Sequence, residues 1–215
     1  MKIRNIIFDV DGTLLDSKRD IAGAQLWVLR QFSIDRYRPE DLYPYIGKTL
    51  QETFSHLLPE SLHHRISEAA ALYREYYRPR ALDTTTLFPN VETTLAKLQN
   101  SGISLAVATT KSSETAGKML KHFTIDRYFL QIQGTDATPY KPDPFIIKKI
   151  LSDQHWERTE TLMVGDTDND IKTGKNAGIY TCGVTYGSMT RLQLENTSPD
   201  YMVENIQELL VLVDN

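Results

Sequence analysis

Cysteine is almost missing from this sequence: Cys182 stands alone among 215 residues. One thiol cannot close an intrachain disulfide, and that fits a reducing compartment. Within Tyr180-Thr181-Cys182-Gly183-Val184 it reads as a small strand residue rather than a nucleophile. Histidine is sparse, and His56, His63 and His64 fall into no zinc-ligand spacing. No apolar run is long enough to cross a bilayer. Met1-Lys2-Ile3-Arg4-Asn5 runs straight into a strand, without a leader-like segment. A basic excess is also missing. The formal net charge is −4, which gives no reason to expect a nucleic-acid-binding face. Internal repeats and low-complexity tracts are absent. The resulting expectation is a cytoplasmic chain that binds neither nucleic acid nor membrane.

What is present is an ordinary globular composition, 40% hydrophobic and 24% charged. That suffices for one sizeable domain, or one domain with an insertion. The strongest signal is Phe8-Asp9-Val10-Asp11-Gly12-Thr13-Leu14-Leu15-Asp16. It follows Ile3, Ile6 and Ile7, a β-branched run that predicts a buried strand. Gly12 permits a sharp turn. Side chains two apart on an extended chain point the same way, so Asp9 and Asp11 are expected to face one space. Two carboxylates about 4 Å apart repel by roughly 4 kcal/mol at intermediate dielectric. A cation, a shared proton or open water must offset that.

From residue 17 to 83 the spacing is helical. Ile21, Ala24 and Leu29 mark one helix, Leu50 to Leu58 a short one, and Leu62 to Tyr73 a longer one. Pro39 and Pro44 punctuate a loop. From residue 84 helices and strands alternate. Strands are predicted over Ile103–Ala108, near Phe129–Ile132, and over Thr161–Val164, Ile179–Val184 and Tyr201–Val203. Such alternation implies a doubly wound, Rossmann-like α/β core with a parallel sheet and right-handed crossovers. The sequence thus predicts a core domain of residues 1–16 and 84–215, with a small all-helical domain over 17–83.

In parallel sheets ligands bind beyond the carboxyl ends of the strands. The polar clusters fall at those ends: Asp9 and Asp11, Thr109 and Thr110, Asp166 and Asp170. Lys141, in Tyr140-Lys141-Pro142, joins them. Four carboxylates and one lysine leave a formal charge of −3, which would repel a phosphate dianion. One divalent cation brings it to −1. Oxygen donors without His or Cys point to Mg²⁺.

The string DVDGTLLDS resembles the first motif of the haloacid dehalogenase superfamily. The order Asp9, Thr109, Lys141, Asp166 is similar to that superfamily's four motifs, and the helical insertion resembles the cap of its phosphoglycolate-phosphatase-like branch. The resemblance implies an Mg²⁺-dependent phosphatase acting on a small phosphate ester. Asp9 would be the nucleophile and Asp11 the general acid and base. Thr109, Thr110 and Lys141 would bind the phosphoryl group. Asp9, Asp11 (through its main-chain carbonyl), Asp166 and Asp170 would hold the metal, Asp170 directly or from beside it. Gly47 and Lys48, in Tyr45-Ile46-Gly47-Lys48-Thr49-Leu50, resemble the branch's substrate loop. Phosphoglycolate is the first substrate implied, with pyrophosphate and nucleoside monophosphates as competitors. A monomer or homodimer is expected.

Two alternatives share the fold. A β-phosphoglucomutase-like phosphomutase would carry a histidine shortly after the first motif, and Lys18 to Ala24 has none. A catalytically silent phosphate-binding protein would lack a motif residue, and none is missing. A signalling receiver domain would place its lysine last, whereas Lys141 precedes Asp166. Outside the motifs, Tyr73, Tyr76 and Tyr77 with Arg74, Arg78 and Arg80 read as an exposed helix face, or as an anion-binding edge.

Overall fold

The computed structural model describes residues 2–136 and 139–213. The elements run in chain order as β1 (Asn5–Phe8), β2 (Leu15–Asp16), α1 (Lys18–Gln31), α2 (Pro39–Leu42), α3 (Leu50–Leu57) and α4 (Ile66–Tyr77). Then come β3 (Thr86–Leu87), α5 (Val91–Asn100), β4 (Ser104–Ala108), α6 (Ser113–His122), β5 (Gln131–Gln133) and α7 (Phe145–Gln154). The chain finishes with β6 (Thr161–Gly165), α8 (Asp168–Ala177), β7 (Tyr180–Val184), α9 (Arg191–Glu195), β8 (Tyr201–Val203) and α10 (Leu209–Val213). None of the described helices is long and apolar enough to cross a membrane.

The chain divides into two compact units, Met1–Asp16 with Leu87–Asn215, and Ser17–Thr86. The first is a six-stranded sheet of order β5-β4-β1-β6-β7-β8, parallel throughout. This is the doubly wound α/β class predicted from the alternation. β1 lies at its centre because its side chains are apolar on both faces. Ile6, Ile7 and Phe8 are completely buried, each contributing about 1.5–3 kcal/mol of burial. Under one face Ile7, Ala106 and Met163 pack on Ile146, Ile147 and Ile150 of α7, with Trp156 against them. The chain runs from β1 outward through β4 and β5, then returns to β6 on the opposite flank of β1. The order therefore reverses at β1, and the crevice beyond that reversal is where such sheets bind ligands.

The second unit is helical. The sequence read a loop around Pro39, and α2 is found there instead. Proline is tolerated at the first helical position, where no N–H is needed, and the Arg38 N–H donates to Asp41 Oδ2 at 2.8 Å to close the end. Thr49 caps α3 by accepting from the Glu52 N–H. The second boundary falls at Thr86, beyond the predicted 83. The reason is Asp20 of α1, whose carboxylate accepts from the backbone N–H and hydroxyl groups of both Thr84 and Thr85. The tyrosines of α4 are not a uniformly exposed face. Tyr73 and Tyr77 are buried and stacked at 5.2 Å, Tyr76 stacks on Trp27 at 4.4 Å, and Arg80 covers the Tyr76 ring.

Candidate active site

The parallel register sets the tips of β1, β4 and β6 level. Phe8 pairs with Val107 on one side and Val164 on the other. The Asp9 N–H extends the ladder by donating to the Val164 carbonyl at 2.9 Å. Asp9 therefore sits beside the end of β4 and the start of the β6 loop. Lys141 arrives from the segment preceding α7 and joins three of these pieces. Its Nζ donates to Asp9 Oδ1 at 2.8 Å, to Asp170 Oδ1 at 2.6 Å and to the Ala108 carbonyl at 2.7 Å. An ammonium has three N–H donors, and all three are used.

Asp170 is fixed from its own helix. It is the third residue of α8, whose N-cap is Thr167. The Thr167 N–H and hydroxyl both donate to Asp170 Oδ2, at 3.1 and 2.6 Å, while Oδ1 takes Lys141. Asp168, the first residue of α8, pairs with Lys172 one turn on. Asp166 is completely buried. Its Oδ1 accepts from the Thr13 hydroxyl at 3.2 Å and its Oδ2 from the Ser188 N–H at 2.7 Å.

Carboxylate oxygens of Asp9, Asp166 and Asp170 all lie within 4.8 Å of one another. One ammonium among three buried carboxylates leaves two negative charges uncompensated. Burial, and then Asp170, push the Asp166 carboxyl up to about 7, against the hydrogen bonds from Ser188 and Thr13. Burial raises Asp9 well above the ordinary value; Lys141 opposes this, and Asp170, Asp166 and Asp11 add to it. Burial alone would lower Lys141, but Asp170 and Asp9 outweigh it and hold the ammonium above the usual lysine range. The trio thus calls for a proton or a cation, and hard carboxylate oxygens suit a divalent ion.

A pH dependence follows with a definite sign. A raised carboxyl pKa means the folded state holds its proton more tightly than the unfolded chain. Stability from Asp166 is therefore full below about 3.8 and is lost as pH rises through about 7. In chelator, the Tm of the parent protein relative to Asp166→Asn is expected to fall across that window. A flat difference would remove the claim.

Asp11 behaves differently from its neighbour. Its carboxylate lies 3.0 Å from Lys111 Nζ, and both side chains are nearly buried, at 8% and 9% exposure. Thr109 is buried at the end of β4, where its hydroxyl accepts from the Lys111 N–H at 3.3 Å. Thr110 follows it at the same strand end. Gly47 and Lys48 belong to the helical unit, where Gly47 takes φ +84° and Lys48 pairs with Glu52 at 2.5 Å. Cys182 is buried inside β7, and burial pushes its thiol up, away from thiolate reactivity.

The loop after β7 was not legible as a functional element, yet it grips the site. Besides the Ser188 N–H on Asp166, the Tyr186 hydroxyl donates to the Thr13 carbonyl at 3.0 Å. Gly187 lies so close that a Cβ would stand 2.3 Å from Asp166 Cβ and 2.4 Å from the Gly12 carbonyl oxygen. Gly12 itself has φ +80° and would clash with Asp166 in the same way. Gly187→Ala is therefore expected to push Asp166 aside. Divalent-metal affinity, read by calorimetry, should weaken at least about tenfold, as for second-layer changes at metal sites. Unchanged affinity would mean that the loop gives way freely.

A profile of haloacid dehalogenase-like hydrolases matches residues 6–184. The chain belongs to this hydrolase family. Among curated relatives, a pyrophosphatase PpaX from Bacillus velezensis is 33% identical over 97% of this chain and 95% of its own. A phosphoglycolate phosphatase from Vibrio cholerae is 34% identical over 98% and 97%. A haloacid dehalogenase-like hydrolase from Streptococcus pneumoniae superposes with a TM-score of 0.90 at 28% identity, covering 98% of both chains. Haloacid dehalogenase-like hydrolases generally use a divalent metal, and the buried carboxylate trio fits one.

Proposed function

We propose that this haloacid dehalogenase-like hydrolase is an Mg²⁺-dependent phosphatase of small phosphorylated metabolites, with phosphoglycolate as the first candidate and pyrophosphate and nucleoside monophosphates as competitors. The observation carrying it is the buried Asp9–Lys141–Asp170 assembly beside Asp166, at the point where the strand order reverses. The relatives named pyrophosphatase and phosphoglycolate phosphatase support the substrate class.

Asp9 attacks phosphorus through a carboxylate oxygen, and the bond to the leaving oxygen breaks. Asp11 gives that oxygen a proton, then takes one from the water that hydrolyses the aspartyl-phosphate. Lys141 keeps Asp9 oriented and offsets charge as the phosphoryl group arrives. Thr109 and Thr110 hold phosphoryl oxygens at the end of β4. Asp9, Asp166 and the Asp11 carbonyl would hold the metal, with Asp170 binding it directly or supporting it from beside. When bound there, the ion would offset the charge of the acidic cluster toward an anionic substrate. Gly47 and Lys48 contribute to substrate binding.

The test is phosphate release from a panel of phosphate esters and pyrophosphate, with Mg²⁺ and with EDTA. Mg²⁺-dependent turnover of one compound, abolished by EDTA, is the expected result. No turnover of any compound would overturn the proposal.

A further inference from the structure

We infer that Lys111 reads the leaving group, and that this protein favours substrates whose leaving group carries its own negative charge near the scissile oxygen. The inference rests on the phosphatase reading above and narrows it to a substrate class.

Two lysines lie at the strand ends, and their positions divide their work. Lys141 spends its three donors on Asp9, Asp170 and the Ala108 carbonyl. It is bound to the nucleophile side of the reaction and has no donor left for a distal group. Lys111 is on the other side. Its Nζ lies 3.0 Å from Asp11 Oδ2, the group assigned to protonate the leaving oxygen. A cation one ion-pair length from that carboxyl is one further contact from whatever the leaving oxygen is attached to.

Its backbone is anchored on both sides. The Lys111 N–H donates to the Thr109 hydroxyl at 3.3 Å, and its carbonyl accepts from the Thr135 N–H at 2.8 Å. The side chain is 9% exposed. A nearly buried ammonium facing a neutral alcohol gains little. Facing a carboxylate or phosphate, it forms a charge-assisted hydrogen bond in a water-poor site, where such bonds are strongest. Glycolate and inorganic phosphate are leaving groups of that kind; a nucleoside or simple alcohol is not. In the step itself the electron pair of the broken P–O bond goes to the leaving oxygen and the proton comes from Asp11.

The test compares phosphoglycolate with 2-hydroxyethyl phosphate, its near-isostere with a neutral leaving group. The kcat/KM ratio between them is independent of how much enzyme is folded. In Lys111→Met that ratio should fall by about tenfold to a hundredfold, the usual effect of losing a charge-assisted hydrogen bond. In Lys111→Arg it should stay near the parent value. If Lys111→Met is too slow to assay, the relative affinities of the two esters in Asp9→Asn, with and without Lys111→Met, give the same ratio by calorimetry. An unchanged ratio overturns the role of Lys111 and leaves the phosphatase standing. Absence of turnover in the parent protein overturns both.

Discussion

Asp9→Asn is expected to lower phosphate release by about 10⁴-fold or more, the scale on which enzymes respond to loss of a nucleophile. The amide keeps the size and planarity of the side chain but has no carboxylate oxygen to form the acyl-phosphate. Its effect on folding should be small. Burial already holds the Asp9 carboxyl far above its ordinary value, so removing the charge takes away a cost. Lys141 keeps Asp170 and the Ala108 carbonyl as partners. The Tm should therefore hold steady or rise while activity vanishes. Phosphate release and mass-spectrometric detection of a phosphorylated Asp9 peptide would check both halves. Full turnover in the variant would end the covalent mechanism.

Lys141→Met should damage both activity and stability. Methionine fills a similar volume but leaves Asp9, Asp166 and Asp170 facing one another without their ammonium. Removing one partner of a buried ion pair costs about 3–5 kcal/mol. For a chain of this size each kcal/mol shifts Tm by roughly 2–4 °C, so a fall on the order of 10 °C is expected in chelator. Adding Mg²⁺ should recover part of it, because an ion replaces some of the lost positive charge. Activity should fall by about 10²–10³-fold, as when one preorganised electrostatic donor is removed. Thermal melts with and without the ion would decide the matter. A Tm within about 2 °C of the parent would show that the cluster does not depend on Lys141.

Much of this was legible in the sequence because the informative residues act through their side chains. Ile6, Ile7 and Phe8 announce a two-sided strand. The carboxylates after it, Lys141 between prolines, and Asp166 with Asp170 four residues later announce a strand-end cluster. Lys111 was visible as part of Thr109-Thr110-Lys111 but had no signal linking it to Asp11, because that pairing spans two strand ends distant in sequence. The loop Tyr186-Gly187-Ser188 was harder still. Ser188 acts through its backbone N–H and Gly187 through the absence of a Cβ, and neither leaves a chemical trace in the sequence. The tyrosines of α4 were misread because periodicity shows a stripe and not which ring stacks on which. α2 was missed because prolines read as loop punctuation, although Pro39 opens a helix rather than breaking one.

The central place of β1 also shapes how the chain is made. Its two partners are β4 and β6, and the second lies 156 residues away in the pairing of Asn5 with Thr161. Synthesis proceeds at about 5–20 residues per second. β1 therefore waits roughly 8–30 s on the ribosome before its second flank exists. Closure of that flank is therefore a late, long-range event whose timing is set by topology rather than by stability.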